Sequence, residues 1–215
     1  MPATDSTKNE KIKFDLKAYE LYLKSKDPVD AAYSLRDTAE GNMFIKIDTA
    51  LKQMIEVVSI LNKSHTKIKF ATYWALSDIY STKSDYKTGL IYLFKALNTL
   101  KPEDEKKRMQ AYELMGYYYG QLHNLENALK YDKMVLEYFV KTNNPIKYYL
   151  CFIYTSDLIK TNQSKASLTF LTDFFKKNSA DKLIRSTWIA ASFGSVYNSL
   201  QQFDKAEKYF LAMML

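Results

Sequence analysis

His65, His123 and Cys151 are the side chains best suited to metal or nucleophilic chemistry in this 215-residue chain. A metal site needs further ligands at short helical or turn spacing, such as a second His four residues on. Neither histidine has a second His or a Cys so placed. A cysteine nucleophile needs a positioned base and a stabilised thiolate. Cys151 instead lies in the run YYLCFIY, 148–154, which reads as a buried or groove-lining thiol. The glycines Gly41, Gly89, Gly116, Gly120 and Gly194 form neither a GxGxxG nor a GxxxxGK[ST] pattern, so no phosphate cradle is expected. Carboxylates are plentiful, but one sequence does not pair them in space. The reading is of a protein that is not an enzyme and carries no metal or cofactor.

Those residues must be held by something, and composition limits what it is. Only 5 Gly and 4 Pro occur, too few for a fold built on hairpins and tight turns, whereas helices tolerate such a composition. The net charge of +7 is spread evenly, with no basic tail. The densest charged run, KPEDEKKR at 101–108, mixes both signs and reads as a solvated helix start, so nucleic acid is a disfavoured partner. No stretch reaches the roughly 18 apolar residues of a membrane span. Residues 1–10 lack the apolar run of a secretory signal and read as a disordered segment preceding a single domain over 11–215. A cytoplasmic location is expected, with an exported sensor domain left open because one cysteine fits either compartment.

An internal repeat organises the chain. Phe203, Ala206, Phe210 and Met213 share one helix face, and the same offsets recur from Ile47, Tyr86 and Leu125, and more weakly from Gln163. The second place is always small: Ala50, Gly89, Ala128, Ala166 and Ala206, at spacings of 39, 39, 38 and 40. A small residue there lets a neighbouring helix approach closely. Each such helix follows another with its own stripe, as in Tyr73, Leu76, Ser77 and Tyr80, or Tyr112, Met115, Gly116 and Tyr119. A short polar turn separates the two. An extra helix is expected over about 12–25, with Ile12, Leu16, Tyr19 and Leu23 on one face.

The segments YELMGYYYGQLHNLENALKYDKMVLEYF (112–139) and FGSVYNSLQQFDKAEKYF (193–210) resemble tetratricopeptide repeats of the long-repeat bacterial signalling type. The family repeat is about 34 residues, and this one is some five longer. The expected fold is all-α: a right-handed α-solenoid of about five helix–turn–helix repeats plus an N-terminal helix. The resemblance implies a groove lined by first helices that binds a protein or peptide partner. By position, its lining residues would be Trp74, Asp78, Glu113, Tyr117, Tyr148, Thr155, Trp188, Ser195 and Asn198. Aromatic area mixed with carboxylates suits an extended segment with apolar and basic side chains. The Lys and Asn pairs of a carboxylate clamp are absent from these places.

The last helix reads as uncapped, with Phe210, Leu211, Met213, Met214 and Leu215 forming a surface for a following repeat or a second copy. The first expectation is an interaction module, the sensor or scaffold region of a larger bacterial signalling or transcription regulator truncated at this end. The second is a small adaptor that homodimerises through its last helix. A third, of another class, is an RNA-binding helical-repeat protein.

Overall fold

The structure is a computed structural model that describes residues 5–25, 27–144, 147–177 and 187–213. All regular structure among them is helical, and the chain divides into two compact units, the first reaching Asp104 and the second starting at Glu105.

The first unit holds α1 (Asp5–Ser25), α2 (Pro28–Asn42), α3 (Ile47–Lys63), α4 (Phe70–Thr82) and α5 (Tyr86–Leu97), each packed on the next. Its core joins Leu35, Met54, Val57, Leu61, Leu76 and Ile79. α1 begins seven residues upstream of the expected start, in polar turns that carry no apolar stripe to mark them. Of that stripe, Leu16 and Leu23 are exposed, whereas Ile12 lies so close to Gly41 of α2 that a Cβ there would meet it at 2.7 Å. Pro28 starts α2, and the Asp27 carboxylate caps it by accepting from the Asp30 N–H at 3.2 Å.

The second unit holds α6 (Glu105–Gln121), α7 (Leu125–Lys141), α8 (Lys147–Lys160), α9 (Ser164–Lys177), α10 (Thr187–Ser199) and α11 (Phe203–Leu211). Here α6 packs on α7, α7 on α8, α8 on α9, and α10 on α8, α9 and α11. Val135, Leu136, Cys151, Leu171, Phe174 and Val196 form its core.

The turn inside four of the helix pairs, from α4–α5 to α10–α11, is one structure repeated. Ser84, His123, Asn162 and Gln201, 39 residues apart, all adopt left-handed backbone with φ between 56° and 59°. The N–H of the residue after each bonds back to the first helix, as Asn124 does to the Tyr119 carbonyl at 2.9 Å. Asp85 and Asn124 then cap α5 and α7 through their side chains. His123 is therefore a turn residue, as is His65 at φ 51°.

The small-residue column needs one correction. Ala166 is exposed, and its neighbour Ser167 is fully buried. Its hydroxyl donates to the Thr155 carbonyl at 3.2 Å, so a polar residue does the packing that Ala does elsewhere. With Ser167 in the column the interval is 39 throughout, from Ala50 through Gly89, Ala128 and Ser167 to Ala206.

Much of the tyrosine content ties the two helices of a pair together. Tyr80–Tyr92, Tyr119–Tyr131 and Tyr197–Tyr209 stack at 5.4, 5.7 and 5.7 Å between ring centres, at equivalent places in three repeats. Such pairs contribute about 0.5–1.5 kcal/mol beyond the area they bury.

Candidate functional site

The constant interval fixes which residues of successive first helices are equivalent. Counting by 39 aligns Ala71, Gln110, Tyr149 and Trp188; then Trp74, Glu113, Phe152 and Ala191; then Asp78, Tyr117, Ser156 and Ser195. Every residue of these three rows is exposed or half-buried, so they form an accessible face of the first helices within each unit.

In the first unit Trp74 is half-buried, with its ring 5.4 Å from that of Phe70. Its indole N–H donates to the Asp78 carboxyl one turn on. Burial pushes Asp78 up from 3.8 to about 6, against the Trp74 bond that favours the ionised form, and Glu40 of α2 adds to the rise. Glu40 itself lies 3.5 Å from the Arg36 guanidinium, which also pairs with Asp37 at 2.6 Å.

In the second unit Glu113 is half-buried on α6 and burial raises its carboxyl above the ordinary range. Tyr117 is 51% exposed on the same helix. On α8 and α10, Trp188 meets Tyr149 edge-on at 5.1 Å and Phe152 at 5.3 Å. Tyr149 and Trp188 remain exposed at 39% and 44%, so this cluster is an accessible aromatic surface rather than core. Ser195 is half-buried beside it on α10, and Asn198 is exposed.

Two expected lining residues are not on this face. Tyr148 and Thr155 are 3% and 1% exposed. The Tyr148 ring packs edge-on against Phe174, and the Thr155 hydroxyl donates to the Cys151 carbonyl at 2.9 Å. Their places are taken by Tyr149, Phe152 and Ser156, which the interval of 39 would have located from Gln110, Glu113 and Tyr117. On α11, Phe210 and Leu211 are exposed and Met213 is half-buried; Met214 and Leu215 lie outside the described residues.

The acids do not assemble around a metal: among the described residues no group of three or more His, Cys, Asp or Glu could hold one. Cys151 is fully buried, and burial pushes its thiol up, away from a reactive thiolate. Among the described residues no helix is long and apolar enough to cross a membrane.

The repeat geometry and the face it presents define an all-helical fold of tetratricopeptide-like repeats, and solved structures share it. The chain aligns with the nearly identical TPR-like repeats of a Podosopora anserina protein assigned as a kinesin light chain, with TM-score 0.68 and 14% identity, covering 87% of this chain and 94% of that one. BtubC (BKLC) from P. vanneervenii aligns with TM-score 0.68 and 13% identity, covering 98% and 91%. A Rap protein complexed with competence and sporulation factor aligns with TM-score 0.52 and 14% identity, covering 95% and 74%. No protein-family model matches the chain. No curated protein matches it either.

Proposed function

We propose that this chain is a protein- or peptide-binding module, of the sensor or scaffold kind used by bacterial signalling and transcription regulators. The observation that carries it is the accessible aromatic cluster of exposed Tyr149 and Trp188 with half-buried Phe152 on neighbouring first helices. Large aromatic area on a preformed helical face is what anchors an extended partner, at low cost in side-chain freedom. The complex of a structurally similar Rap protein with competence and sporulation factor supports the same use of this fold. The half-buried carboxyl of Glu113, in the same unit as the cluster, favours basic side chains in the partner. The stacked tyrosine pairs weigh against RNA, since those rings are already engaged between helices.

Selection of displayed random peptides on the full chain tests the proposal. Enriched sequences should carry aromatic or aliphatic and basic residues. They should bind a Tyr149→Ala/Trp188→Ala variant at least about tenfold more weakly, a loss of about 1.4 kcal/mol. Peptides that bind the folded variant equally well would move the site elsewhere. No enrichment at all would remove the peptide reading.

A second reading has its own observation. Phe203, Phe210 and Leu211 of α11 are 62%, 41% and 52% exposed, which favours a homodimer through that helix. Sedimentation should then show a dimer that Phe210→Asp converts to monomer; a native monomer at high concentration would sink the idea.

A further inference from the structure

Comparing the repeats with one another isolates two acids. Met54, Leu93 and Leu171 fill one buried place on second helices, and the α7 residue there is Asp132. Ile79, Tyr118 and Val196 fill one buried place on first helices, and the α8 residue there is Asp157. Both acids are buried, at 7% and 6% exposure, and their carboxyls hydrogen-bond to each other across the α7–α8 contact. Gly116 of α6 makes the room, since a Cβ there would overlap the Asp132 Oδ1.

Two carboxyls in hydrogen-bonding contact need a proton between them, because like charges that close and that buried do not both ionise. The surrounding groups cancel the charge only in part. Lys160 of α8 lies 2.6 Å from Asp157, but its side chain is 58% exposed. Glu113 of α6 adds a further negative charge facing Asp132. Tyr154 of α8 faces both Asp132 and Glu137 of α7 and is neutral.

We propose that the Asp132–Asp157 pair is a proton-dependent clasp between the α6–α7 and α8–α9 helix pairs, closed while one proton is shared and loosened when both carboxyls ionise. Opening replaces an O–H···O bond by two like charges facing each other, and the contact must part or admit water. Tyr149 and Phe152 ride on α8, so the clasp sets where half of the aromatic face stands relative to α7. Burial first, then Asp157, raises Asp132 from 3.8 to about 7. A carboxyl raised on folding contributes stability that is complete below its unfolded value and lost as pH rises through its folded value. The clasp is therefore closed at mildly acidic pH and opens toward pH 8.

Amide hydrogen exchange of the full chain, corrected for the intrinsic pH dependence of exchange, reads the opening directly. Protection of α7 and α8 should fall about tenfold between pH 6 and pH 8 in the native chain. Asp132→Leu, which supplies the residue that stands at 93 and 171, should keep the protection and lose its pH dependence. Parallel pH profiles for the two proteins would overturn the proposal. If Asp132→Leu fails to fold, carboxyl-carbon NMR of the native chain decides the matter. Besides Asp78, one aspartate titrating near neutrality is expected, and Asp132 and Asp157 both titrating near 3.8 would refute the shared proton.

Discussion

Gln201 holds φ 59°, a conformation that costs an L-residue with a Cβ about 1–2 kcal/mol. Gln201→Gly should relieve that cost, offset in part by the greater freedom glycine gives the unfolded chain. The expected net effect is a rise in Tm of roughly 2 °C by calorimetry. Asn162→Gly should gain less, because asparagine tolerates this region better than glutamine does. A second residue-scale expectation concerns Trp74, whose indole reports the charge on Asp78 through their hydrogen bond. In a Trp188→Phe background, emission should change with a midpoint near pH 6 and lose that step in Asp78→Asn. An emission titration that is the same in both proteins would show that the indole does not sense this carboxyl. Asp132 shows how far such groups can be found from sequence: it falls on the stripe that starts at Leu125, but nothing in the sequence names its partner. An acid on an amphipathic helix is ordinarily solvated, and only the fold places Gly116 and Asp157 against this one.

Among the elements, α9 tests the packing rule. Ser167 is fully buried against α8, with its hydroxyl on the Thr155 carbonyl, so Ser167→Leu should overpack the α8–α9 contact and cost about 1–3 kcal/mol. Ala166→Leu, one residue away and exposed, should stay within about 0.5 kcal/mol. Chemical denaturation of both variants distinguishes the two registers. The same helix shows where sequence reading succeeds and where it stops. Periodicity, turn residues and small columns are legible because each is a local consequence of 3.6 residues per turn and of close helix approach. They mark the helix pairs and the place of Trp188 beside the face. Alanine at 166 offers a smaller side chain than the serine beside it, and only burial reveals that the hydroxyl is satisfied by the Thr155 carbonyl. That single-residue slip also carries the expected lining onto Tyr148 and Thr155 in place of Tyr149, Phe152 and Ser156.

At the scale of the whole molecule, each unit keeps a carboxyl that holds its proton above 3.8: Asp78 in the first, to about 6, and Asp132 in the second, to about 7. Both favour the folded state at low pH and lose that contribution as pH rises through their folded values. Asp48, lowered by its Lys83 partner, acts oppositely, and its contribution disappears as pH falls. It is fully exposed, so the two buried groups should dominate. The Tm of the full chain should therefore decline from pH 5 to pH 8, and Asp78→Asn/Asp132→Asn should flatten that decline. A double variant whose Tm follows the native slope would show that other groups set it. The interval of 39 residues has a separate consequence, for how such a chain can change in length. Turn, small residue and packing columns share one pitch, so a cut after any one of Ser84, His123, Asn162 and Gln201 can be rejoined after another without losing phase. Excising residues 124–162 would join His123 to Gln163 and leave every column in step. A deletion one residue longer or shorter would instead break the turn, displacing its left-handed residue or the N–H that bonds back to the first helix. Inheritance can therefore lengthen or shorten this molecule, but only in whole paces.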